Sequence, residues 1–405
     1  MTVSEDAKLG KIHRLNQVFT PSTPISKRKA FAGRFEQIMQ ITGAVAQPGR
    51  HIVLYGERGV GKTSLANILS ELLVPTSSSF REYAVRVNCG VDDTFKTVWT
   101  RIFSEVGLTV PDAWAYGKPS PDEIRQHLAK VDPPMVIVID EYDRLDDGDA
   151  LSLMADTIKA LSDRAIPTKL VLVGVSDSIE QLIGEHESVR RALEEVAMPR
   201  MVQREIAELI IEGFREADMT VDNAALGRIV KLAEGLPTYA HALSLGAGTL
   251  TVQEDLDHVS LHHVERAAKN YVEGTHSARS AYMAATQSPR PESLFAQVLA
   301  ACALAEKDEL GYFTAASVKE PLSRIMGRPY DIPAFSRHLS EFLSDGRGEV
   351  LQRKGEPRKF RYRFRDPLMQ PFAIMAALAQ NLIPDGYQGD LFKYDSATDW
   401  NQLIE

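Results

Sequence analysis

The sequence predicts an α/β fold: a parallel sheet with crossover helices, followed by helical segments and a short hairpin. Three observations carry this. Apolar, strand-like runs at 52–55, 83–87, 136–139 and 170–173 alternate with helical patterns as far as about residue 198, which is the signature of parallel strands joined by helices. Residues 56–63 read G-E-R-G-V-G-K-T between one such run and a helix opening. From Arg204 onward the strand signal disappears and amphipathic helical patterns take over.

Gly56, Glu57, Arg58, Gly59, Val60, Gly61, Lys62 and Thr63 fit G-x-x-x-x-G-K-[ST], the phosphate-cradling P-loop. The apolar run 51–55 precedes it, and Ser64 continues into a helical pattern. Glycines let backbone N–H groups approach phosphates, and the helix N-terminus adds its positive end. Lys62 is expected to reach the β- and γ-phosphates of ATP, and the Thr63 hydroxyl to ligate Mg2+.

Met135-Val136-Ile137-Val138-Ile139 is an all-apolar, β-branched run, as expected of a central strand buried on both faces. Asp140 and Glu141 fall at its C-terminal end, where open α/β sheets hold ligands. Asp140 is expected to hold Mg2+ directly or through water. Glu141 is placed to polarise a water for attack on the γ-phosphate. Two acids merely capping a strand are the bland alternative, which a nearby P-loop disfavours.

The length of 405 residues implies two or three domains. Apolar and charged contents of 44% and 25% are those of soluble globular proteins. No apolar stretch approaches the about 18 residues of a membrane span, and the polar segment 1–10 lacks a signal-peptide core. Cys89 and Cys302 stand far apart without metal-ligand spacing, so a reduced, cytoplasmic setting is expected. A net charge of −9 argues against a wholly basic nucleic-acid coat, although averages hide local patches.

Residues 1–30, with Pro21 and Pro24, read as an extended lead-in, and 31–203 as the α/β core. Within the core, 109–122 carries three prolines and reads as an irregular surface insertion. Residues 204–275 read as an all-helical domain, with Asp222, Pro237 and Ser260 near helix starts. The polar stretch 275–292 is a reasonable boundary. Three helical patterns and two β-like segments within 291–383 predict a winged-helix-like domain. The acidic segment 384–405, with spaced aromatics, reads as a disordered tail by default, or as a docking peptide for a partner or an adjacent subunit.

Several segments together resemble the AAA+ ATPases of the origin-recognition and replication-initiator type. Phe31-Ala32-Gly33-Arg34 resembles that family's opening-helix motif near the adenine. Val87-Asn88-Cys89 with Thr94 resembles its V-N-C-x-x-x-x-T strand end, and Asp140-Glu141-Tyr142-Asp143-Arg144-Leu145 its Walker B segment. Gly174-Val175-Ser176-Asp177 is similar to the sensor-1 strand, with Asp177 where asparagine is usual. An acid there either points away from the γ-phosphate or weakens the sensor, and Ser176 takes over the polar contact. The resemblance also implies that Arg190 or Arg191 acts as an arginine finger on a neighbouring subunit, so an ATP-dependent self-assembly; two solvated helix arginines are the alternative. The lid departs from the family: Gly235-Leu236-Pro237 replaces the sensor-2 arginine and is closer to STAND and transposon-type ATPases. It would lay Pro237 against the nucleotide without adding charge.

Between residues 353 and 365, Arg353, Lys354, Arg358, Lys359, Arg361, Arg363 and Arg365 stand against the single acid Glu356. Arg361, Arg363 and Arg365 alternate with Tyr362 and Phe364, so a strand would present its arginines on one face. That suits phosphate contacts along double-stranded DNA, while a charged edge strand that discourages aggregation is the alternative. The leading expectation is an ATP-hydrolysing, oligomerising switch that acts on DNA or a DNA-bound partner in replication, transposition or mobile-element defence. The alternative is a STAND-like signalling ATPase whose C-terminal domain binds protein. A metabolic P-loop kinase fits poorly, since it has no use for a winged helix.

Overall fold

The computed structural model describes residues 5–24, 33–73, 84–132, 134–145, 148–175, 187–290, 293–308, 310–357 and 359–392. The chain divides into two compact units, one spanning Pro24–Pro199 and the other joining Met1–Thr23 to Arg200–Glu405. Among the described residues, no helix is long and apolar enough to cross a membrane.

Helix α1 (Glu5–Val18) opens the described chain and belongs to the second unit. The first unit then runs α2 (Phe35–Ala46), β1 (His51–Gly56), α3 (Lys62–Leu73), β2 (Ala84–Asn88), α4 (Phe95–Val106), α5 (Pro121–Leu128), β3 (Val136–Asp140), α6 (Ala150–Asp163), β4 (Lys169–Val175), α7 (Glu187–Arg190) and β5 (Leu193–Ala197). Its strands form a parallel sheet in the order β2-β3-β4-β1-β5. Every residue of β3 is buried, as the all-apolar run requires of a central strand. Phe95, Val98, Trp99, Ile102 and Phe103 of α4 pack into the same core as Met154, Ile158 and Leu161 of α6.

Local sequence explains the helix starts. Thr94 accepts a hydrogen bond from the Thr97 backbone N–H at 3.2 Å, so the threonine of the V-N-C-x-x-x-x-T pattern is the N-cap of α4. Ser120 and Glu123 form a reciprocal capping box at α5, with Pro121 in its first turn. The segment 109–120 is irregular and largely exposed, as its prolines indicated, with one short turn at Asp112–Ala115. Its Trp114 is buried with its ring 4.7 Å from that of Phe103. The turn thus anchors itself by burying one indole while the residues around it stay exposed.

The second unit continues with α8 (Gln203–Glu216), β6 (Thr220–Val221), α9 (Asn223–Ala233), α10 (Pro237–Gln253), β7 (His258–Val259), α11 (Leu261–Gly274) and α12 (His276–Thr286). Asp222 accepts from the Ala225 N–H at 2.6 Å and caps α9, as its position predicted. The expectation of an all-helical segment is corrected by β6 and β7, which pair in parallel. The boundary stretch 275–292 contains α12. Next come α13 (Phe295–Leu304), β8 (Phe313–Thr314), α14 (Ala315–Met326), α15 (Ile332–Glu341), β9 (Leu351–Lys354), β10 (Arg361–Phe364), α16 (Met369–Ala379) and α17 (Asp385–Leu391). The sheet order β8-β10-β9 is antiparallel, giving the helix–strand–helix–helix–strand–strand order of a winged-helix-like domain.

Both ends of the chain depart from expectation. Residues 5–18 form a helix rather than an extended lead-in. Leu15 and Phe19 are buried, and Gly213 on α8 lets the ring of Phe19 approach so closely that a Cβ there would lie 2.5 Å from it. Residues 385–391 likewise form α17, where the tail was expected to be disordered. Residues 393–405 lie outside the described part of the chain.

His241 lies on α10, buried, with Nδ1 accepting from the Thr20 N–H at 3.3 Å. It is a buried polar contact. Burial pushes its pKa down to about 4. Because the folded value lies below the unfolded one of about 6.5, the unfolded chain binds the proton more readily. The stability contributed by neutral His241 is complete above about pH 6.5 and falls as the pH drops toward 4, by about 1.4 kcal/mol per unit. We expect His241→Asn, which keeps an acceptor at the Nδ1 position, to melt with a shallower loss between pH 7 and 5 than the parental protein. Parallel slopes would show that His241 does not govern the acid response.

Candidate nucleotide site and basic hairpin

Four buried residues of β1 lead to Gly56, whose φ is 152°. A Cβ at this position would lie 2.4 Å from the Met198 carbonyl oxygen, so only glycine fits. The loop turns through Gly59 and Gly61, both at positive φ, into α3, which begins at Lys62. Arg34 caps the turn from outside: buried, it donates from its guanidinium to the Val60 carbonyl at 2.8 Å. Thr63 and Ser64 are half-buried on the first turn of α3.

Lys62 is only 8% exposed, and its ammonium folds over the loop, donating to the carbonyls of Gly56 at 3.0 Å and Glu57 at 2.7 Å. Burial pushes its pKa down to about 8, against the opposing pull of Asp143, Asp140 and Glu57. Phosphate oxygens placed over the same loop would add negative charge and favour the ammonium form.

Asp140 ends β3 with 2% exposure. Its Oδ1 accepts from the Glu141 N–H at 2.8 Å and its Oδ2 from the Arg86 guanidinium at 2.7 Å. An ionised carboxylate offers about four lone-pair directions, so acceptor capacity remains for a hydrated cation. Asp140 and the Thr63 hydroxyl supply the hard oxygen donors that Mg2+ takes from a protein alongside phosphate, and the residues therefore fit that ion. Glu141, in the left-handed region at φ 53°, is exposed and accepts from Arg144 at 2.7 Å. Asp143 accepts from the Val175 N–H at 2.7 Å, tying this turn to the end of β4.

The other expected residues do not all converge here. Ser176 and Asp177 lie outside the described residues, immediately after β4. Arg190 and Arg191 are exposed beyond α6, and Arg191 donates to Asp163 of its own chain at 2.9 Å. Pro237 opens α10 in the second unit. Tyr362 and Phe364 point into the core of the hairpin while Arg361 is exposed and Arg363 half-buried, so the predicted alternation holds. These cations have partners within their own domain. Arg361 pairs with Asp308 at 2.9 Å and Arg365 with Glu349 at 2.7 Å. Arg353 lies 3.9 Å over the Phe360 ring, Arg363 4.7 Å over Tyr312, and Lys354 6.0 Å over the same tyrosine. Lys359 is exposed, and Arg358 lies outside the described residues.

Sequence reading overlooked Arg86, although the alternation Val85-Arg86-Val87-Asn88 already placed Arg86 and Asn88 on one strand face. It also gave no role to Asp143, or to the Arg34 contact with the loop, for which no local pattern provides a signal.

Residues 46–183 match the family described as an AAA domain. No curated protein matches the sequence at a significant level. Among solved structures, the chain is similar to the Aeropyrum pernix ORC2 protein (ADPNP–ADP complexes), with 12% identity, a TM-score of 0.52, and coverage of 93% of this chain and 98% of that one. It is also similar to the Aeropyrum pernix ORC1 protein in complex with DNA, with 18% identity, a TM-score of 0.50 and the same coverage. At these identities the likeness concerns the fold alone. Residues 46–183 thus match an AAA domain, and the chain is similar in fold to the Aeropyrum pernix ORC1 and ORC2 proteins.

Proposed function

We propose that this chain binds ATP with Mg2+, hydrolyses it, and uses the cycle to control its own assembly and its contact with duplex DNA. The observation that carries the reading is the buried ammonium of Lys62 in a glycine-lined loop, with Asp140 and Glu141 at the end of the central strand. Lys62 exchanges its two carbonyl partners for the β- and γ-phosphates. The N–H groups of the loop and of the first turn of α3 bind the remaining phosphate oxygens. Mg2+, when bound, neutralises phosphate charge and is held through Asp140 and the Thr63 hydroxyl. Glu141 leaves Arg144 and orients the attacking water. Ser176 contacts the γ-phosphate, and Arg190 or Arg191 completes a neighbour's site after releasing its partners on its own chain. Such a supplied arginine stabilises transition-state charge.

The DNA element of the proposal rests on the basic hairpin, and on a fold shared with a protein solved in complex with DNA. One observation favours a second reading, a signalling ATPase whose C-terminal domain binds an acidic protein. The hairpin arginines already have acidic and aromatic partners within their domain.

Three outcomes test the proposal. Lys62→Ala should abolish ATP binding at micromolar nucleotide, while Glu141→Gln should retain binding and lose turnover by about 100-fold or more; parental turnover in Glu141→Gln would make that residue structural. ATP should promote assembly, and the double change Arg190→Ala and Arg191→Ala should lower turnover without weakening binding to the monomer. Sedimentation of a monomer at every ATP-loaded concentration would remove the finger. Finally, replacing Arg353, Lys359, Arg361 and Arg363 with Ser should weaken binding to all duplex sequences about equally. It should also flatten the salt dependence, by about 0.9 in log–log slope for each phosphate that is no longer neutralised. Absence of any DNA retardation by the ATP-loaded protein at low salt would favour the protein-binding reading.

A further inference from the structure

Register places Arg86 beside the proposed metal-binding carboxylate. In the parallel pairing of β2 with β3, Arg86 stands opposite Val138 and Asn88 opposite Asp140. Arg86 is thus a diagonal neighbour of Asp140 on one face of the sheet, within reach of a long side chain. It uses both ends of its fork, donating to Asp140 Oδ2 at 2.7 Å and to Asn67 Oδ1 on α3 at 2.5 Å. Lys62 has its hydrogen bonds on the loop carbonyls instead.

We infer that Arg86 is an internal counter-cation for Asp140, holding that carboxylate while the metal is away, so that Mg2+ binds in competition with it. The inference rests on the nucleotide-site reading above. Asp140 is 2% exposed, and an ionised carboxylate at that depth is costly unless paired. The guanidinium supplies the pairing, and its bridge to Asn67 fastens the helix that follows the P-loop to the strand that carries the acids. Arg86 lies on the edge strand β2 with 31% of its side chain exposed, so it has a route to water when displaced. A divalent cation arriving at Asp140 meets the guanidinium's positive charge, and gains the full carboxylate only as Arg86 leaves. Nucleotide without metal requires no such exchange. Arg86 therefore acts as a positioning residue that competes with the metal for the charge of Asp140.

The test is a Mg2+ titration of the binding of a fluorescent ADP analogue. Arg86→Met, uncharged and of similar reach, should lower the Mg2+ midpoint by up to about fivefold, the factor expected for losing a partly exposed ion pair. Its metal-free melting temperature should also fall, with a larger gain on adding Mg2+ and ADP than in the parental protein. Arg86→Lys, which keeps the charge, should leave the midpoint near the parental value. Asn67→Ala loosens the fork without touching Asp140, and should shift the midpoint the same way by less. Unchanged or raised midpoints in both Arg86→Met and Asn67→Ala overturn the inference while leaving the nucleotide site standing. A parental protein that binds no nucleotide at any Mg2+ concentration overturns the site reading and this inference with it.

Discussion

The constraint on which the first unit depends is a buried strand that ends in a charge. Val136, Ile137, Val138 and Ile139 are all buried, and burial of an aliphatic side chain stabilises by about 1.5–3 kcal/mol. Together they fix β3 inside the sheet strongly enough to hold Asp140 out of bulk water. The carboxylate then needs compensation, and it has it from the Glu141 N–H and from Arg86. Positioning follows from the same anchoring. Since β4 lies between β3 and β1 and all three run parallel, the acids and the P-loop follow the C-terminal ends of strands two places apart, on the same side of the sheet.

The P-loop shows the complementary use of strain. Positive φ at Gly56, Gly59 and Gly61 bends the backbone into a cup that residues with a Cβ would not adopt. Lys62 closes that cup with its own carbonyl contacts, and Arg34 holds it from behind through the Val60 carbonyl. Lys62 and Arg34 both have partners in this state, so a phosphate at Lys62 would bind by exchange of partners rather than by filling a bare charge.

In the second unit a single buried amide joins three segments. Gln370 is fully buried; its Nε2 donates to Glu234 at 2.7 Å and to the Ala303 carbonyl at 3.1 Å, and its Oε1 accepts from Arg200 at 2.7 Å. That links the segment leading into α8, the end of α9 and the winged-helix-like part through satisfied polar contacts. The chain's last described helix adds cation–aromatic contacts: Arg324 lies 4.1 Å over the Tyr387 ring and also pairs with Asp390, and Arg228 lies 4.1 Å over Phe392. The spaced aromatics of the tail, read from sequence as disorder or a docking peptide, dock as far as residue 392 on their own chain. Their partners, Arg228 and Arg324, are remote in sequence, so no local pattern could identify them.

The sequence by itself determined whatever rests on contiguous residues. The P-loop lies within 56–63, the acids follow their apolar strand directly, and strand period and helix caps such as Asp222 are written within a few positions. The helix at 5–18 was not legible, because its stability comes from Leu15 and Phe19 packing against glycines some 200 positions away. Trp114 was missed for the same reason, since prolines around it describe the local turn and not its burial. Tertiary structure alone decided which cation faces Asp140. Arg86 lies 54 residues earlier, and strand register brings it there. Register is set by the burial of whole strand faces, and no residue carries it alone.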